Sequence, residues 1–314
     1  MDGVWYENDS ALQSSDGTCA NPATTFRERI SEMGKFKPEA GRYHLYVALG
    51  CPFAQRTLIL RNVKKLQDKI SVSIAHPVNT EKGWKFEEFE GSTLDEVYGC
   101  QYIPELYVKA DSHFTGKASV PVLWDKQTHT IVNNESSDIA EMLNEFPGEE
   151  ETSDFYPVEL REEIDNIVNK FKEEVIMKVY KVGFAATQEE YESHLNMLFN
   201  SLDWLEQHLG KSRYLIGDRI TLADWLLLPT VFRFDYAMYS MFKCNIRRIV
   251  DYPNIFGWAK ELYRYPGVQE TFNIKHIIMT YWSMKKFNPS GIYPAGPLID
   301  WSAPHNRDRD YSQL

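Results

Sequence analysis

The chain has 314 residues, 43% of them hydrophobic and 14% aromatic, and a formal net charge of −11. That length exceeds a usual single domain, so two domains are expected. The negative balance argues against nucleic acid or an anionic membrane surface as a partner. Cys19, Cys51, Cys100 and Cys244 are widely spaced with no paired pattern, which suits free thiols in a reducing, cytoplasmic compartment. No apolar run reaches the roughly 18 residues of a membrane span. The acidic start Met-Asp-Gly-Val-Trp-Tyr-Glu is unlike a secretory or transit leader.

Residues 1–41 are polar and broken by Ser, Gly and Pro, and read as an arm laid on the surface. The apolar run Tyr43–Leu49 then reads as a strand, and Gln55–Arg61 as an amphipathic helix. Between them stands Cys51-Pro52-Phe53-Ala54. Pro52 suits the first helical position, where its missing N–H costs nothing. Cys51 then caps the helix and faces its unpaired N–H groups, an environment that favours thiolate and makes the sulfur a nucleophile. The fourth position is Ala54, not a resolving cysteine, so an oxidised Cys51 needs an external thiol to release it. A buried structural cysteine before a proline is the competing reading.

Ile70, Val72 and Ile74 alternate as a half-buried strand. Residues 77–118 carry Gly83, Gly91, Gly99 and Gly116 and read as a long irregular loop. Ser119–Trp124 and Thr130–Val132 flank Asp125–Thr128 as a hairpin, and Ser136–Phe146 has helical spacing. This order suits a small mixed sheet of the thioredoxin type over residues 42–146. The acidic, breaker-rich 147–157 reads as a linker. Helical signals follow at 158–178, 188–209, 221–242 and 254–264, separated at Gly183, Gly210/Gly217 and Tyr252-Pro253, so 158–272 is an all-α domain. Thr221-Leu-Ala-Asp224 is a capping box with Asp in the reciprocal role. Residues 273–314 form a Tyr-, Pro- and Gly-rich extension.

A cis bond at Val120-Pro121 would offer the Val120 backbone to an extended peptide; a trans edge-strand proline is the plain alternative. Glu135-Ser136 opens a helix, where backbone N–H groups and a hydroxyl suit a carboxylate, with an ordinary N-cap as the rival. Trp84 alone reads as packing, and His44, His76 and His129 as isolated. No phosphate loop, hydrolase elbow or metal-ligand spacing is present, so no metal is expected.

Taken in order, Cys51-Pro-Phe-Ala-Gln-Arg, Val120-Pro121, Glu135-Ser136 and Ile220-Thr-Leu-Ala-Asp224 resemble the cytosolic glutathione transferases with a catalytic cysteine. Several blocks are similar to the xi class, the glutathionyl-hydroquinone reductases: Phe26-Arg27, Gly83-Trp-Lys-Phe86, Val120-Pro-Val-Leu-Trp-Asp125 and Ile131-Val-Asn-Asn-Glu-Ser136. Val179-Tyr-Lys-Val-Gly-Phe184, Phe232-Arg-Phe-Asp235, Phe242-Lys-Cys-Asn245, Asn288-Pro-Ser-Gly-Ile292 and Pro294-Ala-Gly-Pro297 extend the match. Phe53 replaces the family's usual Trp, and His276–Tyr281 lacks the lysine of its His-Ile-Lys motif.

The resemblance implies an α/β thioredoxin-like N-terminal domain followed by an all-α domain, the cytosolic glutathione transferase fold, as a homodimer. It implies glutathione as co-substrate and glutathionylated aromatic small molecules as partners. Cys51 is then the nucleophile. Trp84, Val120 and Pro121 hold the tripeptide, and Glu135 and Ser136 its γ-glutamyl end. Phe53, Tyr180, Tyr239 and Tyr281 line the second substrate's site, with Tyr180 and Tyr281 acting on the leaving group; ordinary aromatic packing is the rival for each tyrosine. The implied reaction is glutathione-dependent reduction of glutathionyl-hydroquinones. An omega-like thioltransferase or dehydroascorbate reductase, lacking the 273–297 extension, and a non-catalytic transferase-like binding protein are the alternatives.

Overall fold

The structure is a computed structural model and describes residues 26–148, 153–308 and 311. Residues 1–25 of the expected arm, with Cys19, and residues 149–152 of the expected linker lie outside the described residues. Two compact units divide the chain. The first takes it up to Ser153 together with Glu270–Ser283, and the second takes Asp154–Gln269 and the chain from Met284 on.

In the first unit, β1 (Tyr43–Val47), β2 (Ser71–Ile74), β5 (Val122–Asp125) and β6 (Thr130–Asn133) form a sheet of order β2-β1-β5-β6. β1 runs parallel to β2 and antiparallel to β5, and β5 is antiparallel to β6. All five β1 residues are buried, as a central strand covered on both faces requires. Its polar atoms are satisfied internally: His44 bonds Ser71 Oγ at 2.7 Å and Ser73 Oγ at 2.9 Å across the parallel pair, and Tyr46 donates to Asp95 at 2.9 Å. α1 (Pro52–Val63) and α3 (Ser136–Glu145) pack together. At the hairpin base, Arg42 forks onto the buried Asp125 with both bonds at 2.8 Å.

The expected loop 77–118 holds more order than its glycines suggest. β3 (Asn79–Thr80) and β4 (Gly83–Trp84) form a small hairpin, and α2 covers Ile103–Ala110. The α2 start is closed by Glu105, which accepts from the Gln101 and Tyr102 amides at 3.0 and 2.8 Å. The described part of the arm, 26–41, is tied down: Glu28 N–H bonds the Val132 carbonyl beyond the edge of β6, and Arg27 clasps Asp138 of α3 at 2.6 and 3.0 Å.

The second unit contains α4 (Arg161–Phe171), α5 (Lys178–Phe184), α6 (Gln188–Lys211), α7 (Leu222–Arg233) and α8 (Pro253–Tyr263). Single wide turns at Lys172–Ile176 and Phe234–Met238 continue α4 and α7. Every residue of α7 is buried. The expected break near Gly183 falls just past it, at 185–187, and Gly183 itself stands in the last turn of α5. A Cβ there would sit 2.5 Å from the Phe242 ring, so this glycine serves close packing. The Thr221–Asp224 box is present, with the Thr221 amide donating to Asp224 at 2.9 Å. Asp224 also accepts from the Leu215 amide at 3.1 Å and Trp258 Nε1 at 2.9 Å. From Met284 onward the chain straps this unit. Trp301 stacks on Phe232 and donates to Tyr236 at 2.9 Å.

The expected single extension 273–314 is thus divided. Its first part, α9 (Ile274–Trp282), packs with the first unit. Polar contacts explain this address: Thr280 Oγ1 donates to the Pro77 carbonyl at 2.6 Å, and His276 Nε2 bonds the Glu90 carbonyl at 2.7 Å.

Candidate active site

The turn after β1 delivers Cys51 to the N-cap of α1, with extended backbone (φ −81°, ψ 121°) and Pro52 following at the first helical position. The Cys51 amide is used in the turn, donating to the Ala48 carbonyl at 3.0 Å. Its half-buried side chain lies beside the Val120-Pro121 bond, which is cis. Cys51 Sγ stands 3.8 Å from the Val120 carbonyl, to which the thiol donates.

No disulfide joins Cys51, Cys100 and Cys244, the three cysteines among the described residues. The other two are poor nucleophile candidates. Burial pushes the Cys100 thiol up to about 12, and burial also raises Cys244. Ala54 is fully buried at the place of a resolving cysteine.

The start of α3 forms the second part of the site. Glu135 is its N-cap and accepts from the Ser137 amide at 3.4 Å and Ser137 Oγ at 3.3 Å. Its own amide is held by Asn133 Oδ1 at 2.7 Å. Ser136 is buried, and its Oγ accepts from Arg56 Nη1 at 3.1 Å. Arg56 also lies over the Phe53 ring, 4.8 Å from its centroid. One buried guanidinium therefore links the Cys51 helix to the α3 start. In the sequence Arg56 stands only as the last residue of the Cys51-Pro-Phe-Ala-Gln-Arg block. Its place one turn beyond Cys51 on the same helix was the available signal for the wider role.

Trp84 and Val120 are buried. Trp84 pairs across the small hairpin with Asn79. The segment leading to Val120 is pinned by Tyr107, whose hydroxyl donates to the Ser119 carbonyl at 2.9 Å and accepts from Asn134 at 3.1 Å. Asn134 stands just before Glu135, so Tyr107 connects the two backbone segments that flank the Cys51 turn and the α3 start.

Cys51, Phe53, Trp84, Val120, Pro121, Glu135, Ser136 and Tyr281 all belong to the first unit. This corrects the placing of Tyr281 in a tail apart from the thioredoxin-like domain: it is a buried residue of α9. Tyr180 and Tyr239 belong to the second unit. Tyr180 is half-buried on α5 with its ring centroid 5.6 Å from that of Phe242. Tyr239 is half-buried just past the wide turn that ends at Met238. Among the described residues no group of three or more His, Cys, Asp or Glu could hold a metal, and no helix is long and apolar enough to cross a membrane.

Residues 50–145 match the family model described as the glutathione S-transferase N-terminal domain, and residues 188–261 match its C-terminal domain. The chain is 42% identical to a glutathionyl-hydroquinone reductase of Escherichia coli K12, over 98% of each. The glutathione-bound structure of a glutathione transferase homolog from Escherichia coli K-12 superposes with a TM-score of 0.88 at 40% identity, covering 98% of each chain. A Xi-class glutathione transferase from Natrialba magadii gives a TM-score of 0.90 at 39% identity, covering 98% of this chain and 95% of that one. With a cysteine at the head of α1, a cis-proline beside it and these relatives along nearly its whole length, the chain belongs to the glutathione transferase superfamily and to its Xi class.

Proposed function

We propose that the protein reduces S-glutathionyl-hydroquinones with glutathione, through a mixed disulfide on Cys51. The observation that carries this reading is a single thiol at the N-terminus of α1, beside the Val120 carbonyl, with alanine where a resolving thiol would stand. The Cys51 thiolate attacks the glutathione sulfur of the substrate. The sulfur–aryl bond breaks, its electron pair goes to the ring carbon, and that carbon takes a proton, leaving a free hydroquinone. Cys51 now carries glutathione as a disulfide. A second glutathione thiolate attacks it, releases glutathione disulfide and restores Cys51; exchange of this kind needs only one protein thiol.

The first unit supplies the tripeptide's contacts in this reading. An extended peptide pairs with the Val120 backbone beside Pro121, and Trp84 covers it. Glu135 and Ser136 take the γ-glutamyl amine and carboxylate, with the Arg56 guanidinium behind Ser136 adding positive charge. Tyr281 and Tyr180 supply phenols for the aromatic half, because a phenol can donate to or accept from a phenolic oxygen; Phe53 and Tyr239 add apolar surface. The reading includes a homodimer working in a reducing, cytoplasmic compartment, consistent with thiols that form no disulfide among the described residues.

The test is steady-state turnover of glutathionyl-menadione with glutathione, beside dehydroascorbate and hydroxyethyl disulfide. The hydroquinone conjugate is expected to be turned over with release of menadiol. Turnover of dehydroascorbate with none of the conjugate would move the protein to the omega-like reading. No turnover of any of the three would leave a binding protein.

A further inference from the structure

Chain segment 271–280 touches both flanks of Cys51. On the preceding side, Gly50 has no room for a side chain: a Cβ there would lie 1.7 Å from Thr280 Oγ1 and 2.5 Å from Thr280 Cβ. Thr280 Oγ1 is itself fixed by its 2.6 Å bond to the Pro77 carbonyl. On the following side, the buried Gln55 donates to the Thr271 carbonyl at 3.0 Å and to Thr271 Oγ1 at 3.3 Å. The helix between these two contacts is held independently. His276 bonds the Glu90 carbonyl at 2.7 Å, and Lys275 pairs with Glu90 at 2.8 Å while lying over the Phe89 ring. All of these residues belong to the first unit. A turn bearing a nucleophile is thus gripped from both sides by residues more than 200 positions away in sequence.

We propose that Thr280 is a positioning residue for Cys51. It touches no substrate; it acts through Gly50, pressing on the backbone one residue before the thiol and setting the line along which the sulfur attacks. Gln55 with Thr271 is the opposing jaw. The proposal rests on Cys51 being the nucleophile, and on nothing about the aromatic half of the substrate. Thr280 and Tyr281 are adjacent, yet their roles differ: Thr280 serves every glutathionylated substrate, whereas Tyr281 serves only those with a phenolic leaving group.

The test compares full-length wild type with Thr280→Val, which keeps the branched shape and loses the bond to Pro77, and Thr280→Ser, which keeps the bond. Three quantities are read: kcat and KM on glutathionyl-menadione and on a small glutathione mixed disulfide, the pH profile of Cys51 alkylation by mass spectrometry, and the melting temperature. Misplacing a reacting atom by about an ångström can cost up to about a hundredfold, so Thr280→Val is expected to lose about tenfold or more in kcat on both substrates. KM for glutathione should be unchanged and the alkylation profile displaced, and Thr280→Ser should recover both. A Thr280→Val protein with wild-type kcat and alkylation, whatever its melting temperature, overturns the proposal.

Should Thr280→Val fail to fold, the wild type decides. Hydrogen exchange of the Ile277–Tyr281 amides should change on glutathionylation of Cys51, and no change there overturns the proposal. If wild type never turns over glutathionyl-menadione, the functional reading fails, while the disulfide and alkylation measurements still judge Thr280.

Discussion

Removing the Asp224 carboxylate should be among the most damaging single changes outside the active site. The group is fully buried and accepts four bonds: the Thr221 amide at 2.9 Å, Thr221 Oγ1 at 3.1 Å, the Leu215 amide at 3.1 Å and Trp258 Nε1 at 2.9 Å. In Asp224→Ala the Leu215 and Trp258 donors stay buried without a partner, at about 1–3 kcal/mol each. Loss of the reciprocal cap adds about 0.5–2 kcal/mol. The combined cost is about 5 kcal/mol, a large share of the roughly 5–15 kcal/mol that holds a typical domain. Asp224→Asn separates charge from hydrogen bonding. Its one remaining oxygen can still serve Leu215 and Trp258, but its amide N–H₂ opposes the Thr221 amide, so about half the loss is expected. Burial pushes the Asp224 carboxyl up against the pull of its donors, which is why neutralising it should cost less than deleting it. Urea unfolding followed by helical circular dichroism gives the midpoint shift at constant slope. A loss below about 1 kcal/mol for Asp224→Ala, or equal losses for both variants, would refute this account of the box.

Cys51→Ser should abolish reductase turnover with the fold intact by circular dichroism, and an active variant would sink the mechanism. Tyr281→Phe and Tyr180→Phe should each slow turnover of glutathionyl-hydroquinones by about a hundredfold if the hydroxyl meets developing charge. Both should leave reduction of a small glutathione mixed disulfide nearly intact, and equal losses on the two substrates would make these tyrosines packing residues. Burial lowers His44 from 6.5 to about 4, so the folded state favours the neutral ring. Its contribution is complete above pH 6.5 and is lost as pH falls toward 4, about 3 kcal/mol in all at 1.36 kcal/mol per pH unit. His44→Gln should flatten the acid limb of the stability curve between those values, and an unchanged limb would show that His44 carries none of it.

Local signals made much of the molecule legible. The proline after Cys51, the 125–128 turn, the periodicity of 136–146 and the Thr221–Asp224 box each sit within a few residues of what they specify. α2 was missed because it is only eight residues long and Pro104 lies in its first turn. Glu105, three places past the N-cap, was the sign available. Gly183 read as a break because a glycine in sequence does not reveal whether it supplies a turn or yields space to Phe242. The site followed the same rule. Cys51 and the Glu135–Ser136 helix start were visible from their neighbours. The Arg56–Ser136 link and the return of α9 to the first unit join residues far apart in sequence, and the residues themselves carry no trace of such a contact.

The return of α9 has a consequence for how the protein is made. Gln55 waits for a partner 216 residues later in the chain. At about 5–20 residues per second, translation takes about 10–40 s to bridge that gap. For that time the Cys51 turn of the nascent chain lacks its contacts with Thr271 and Thr280. The sheet, α1 and α3 can form early, but the Cys51 turn gains these contacts only after α4–α8 have been synthesised. A chain stalled within α4–α8 therefore lacks residues 271–280, which touch both sides of the Cys51 turn.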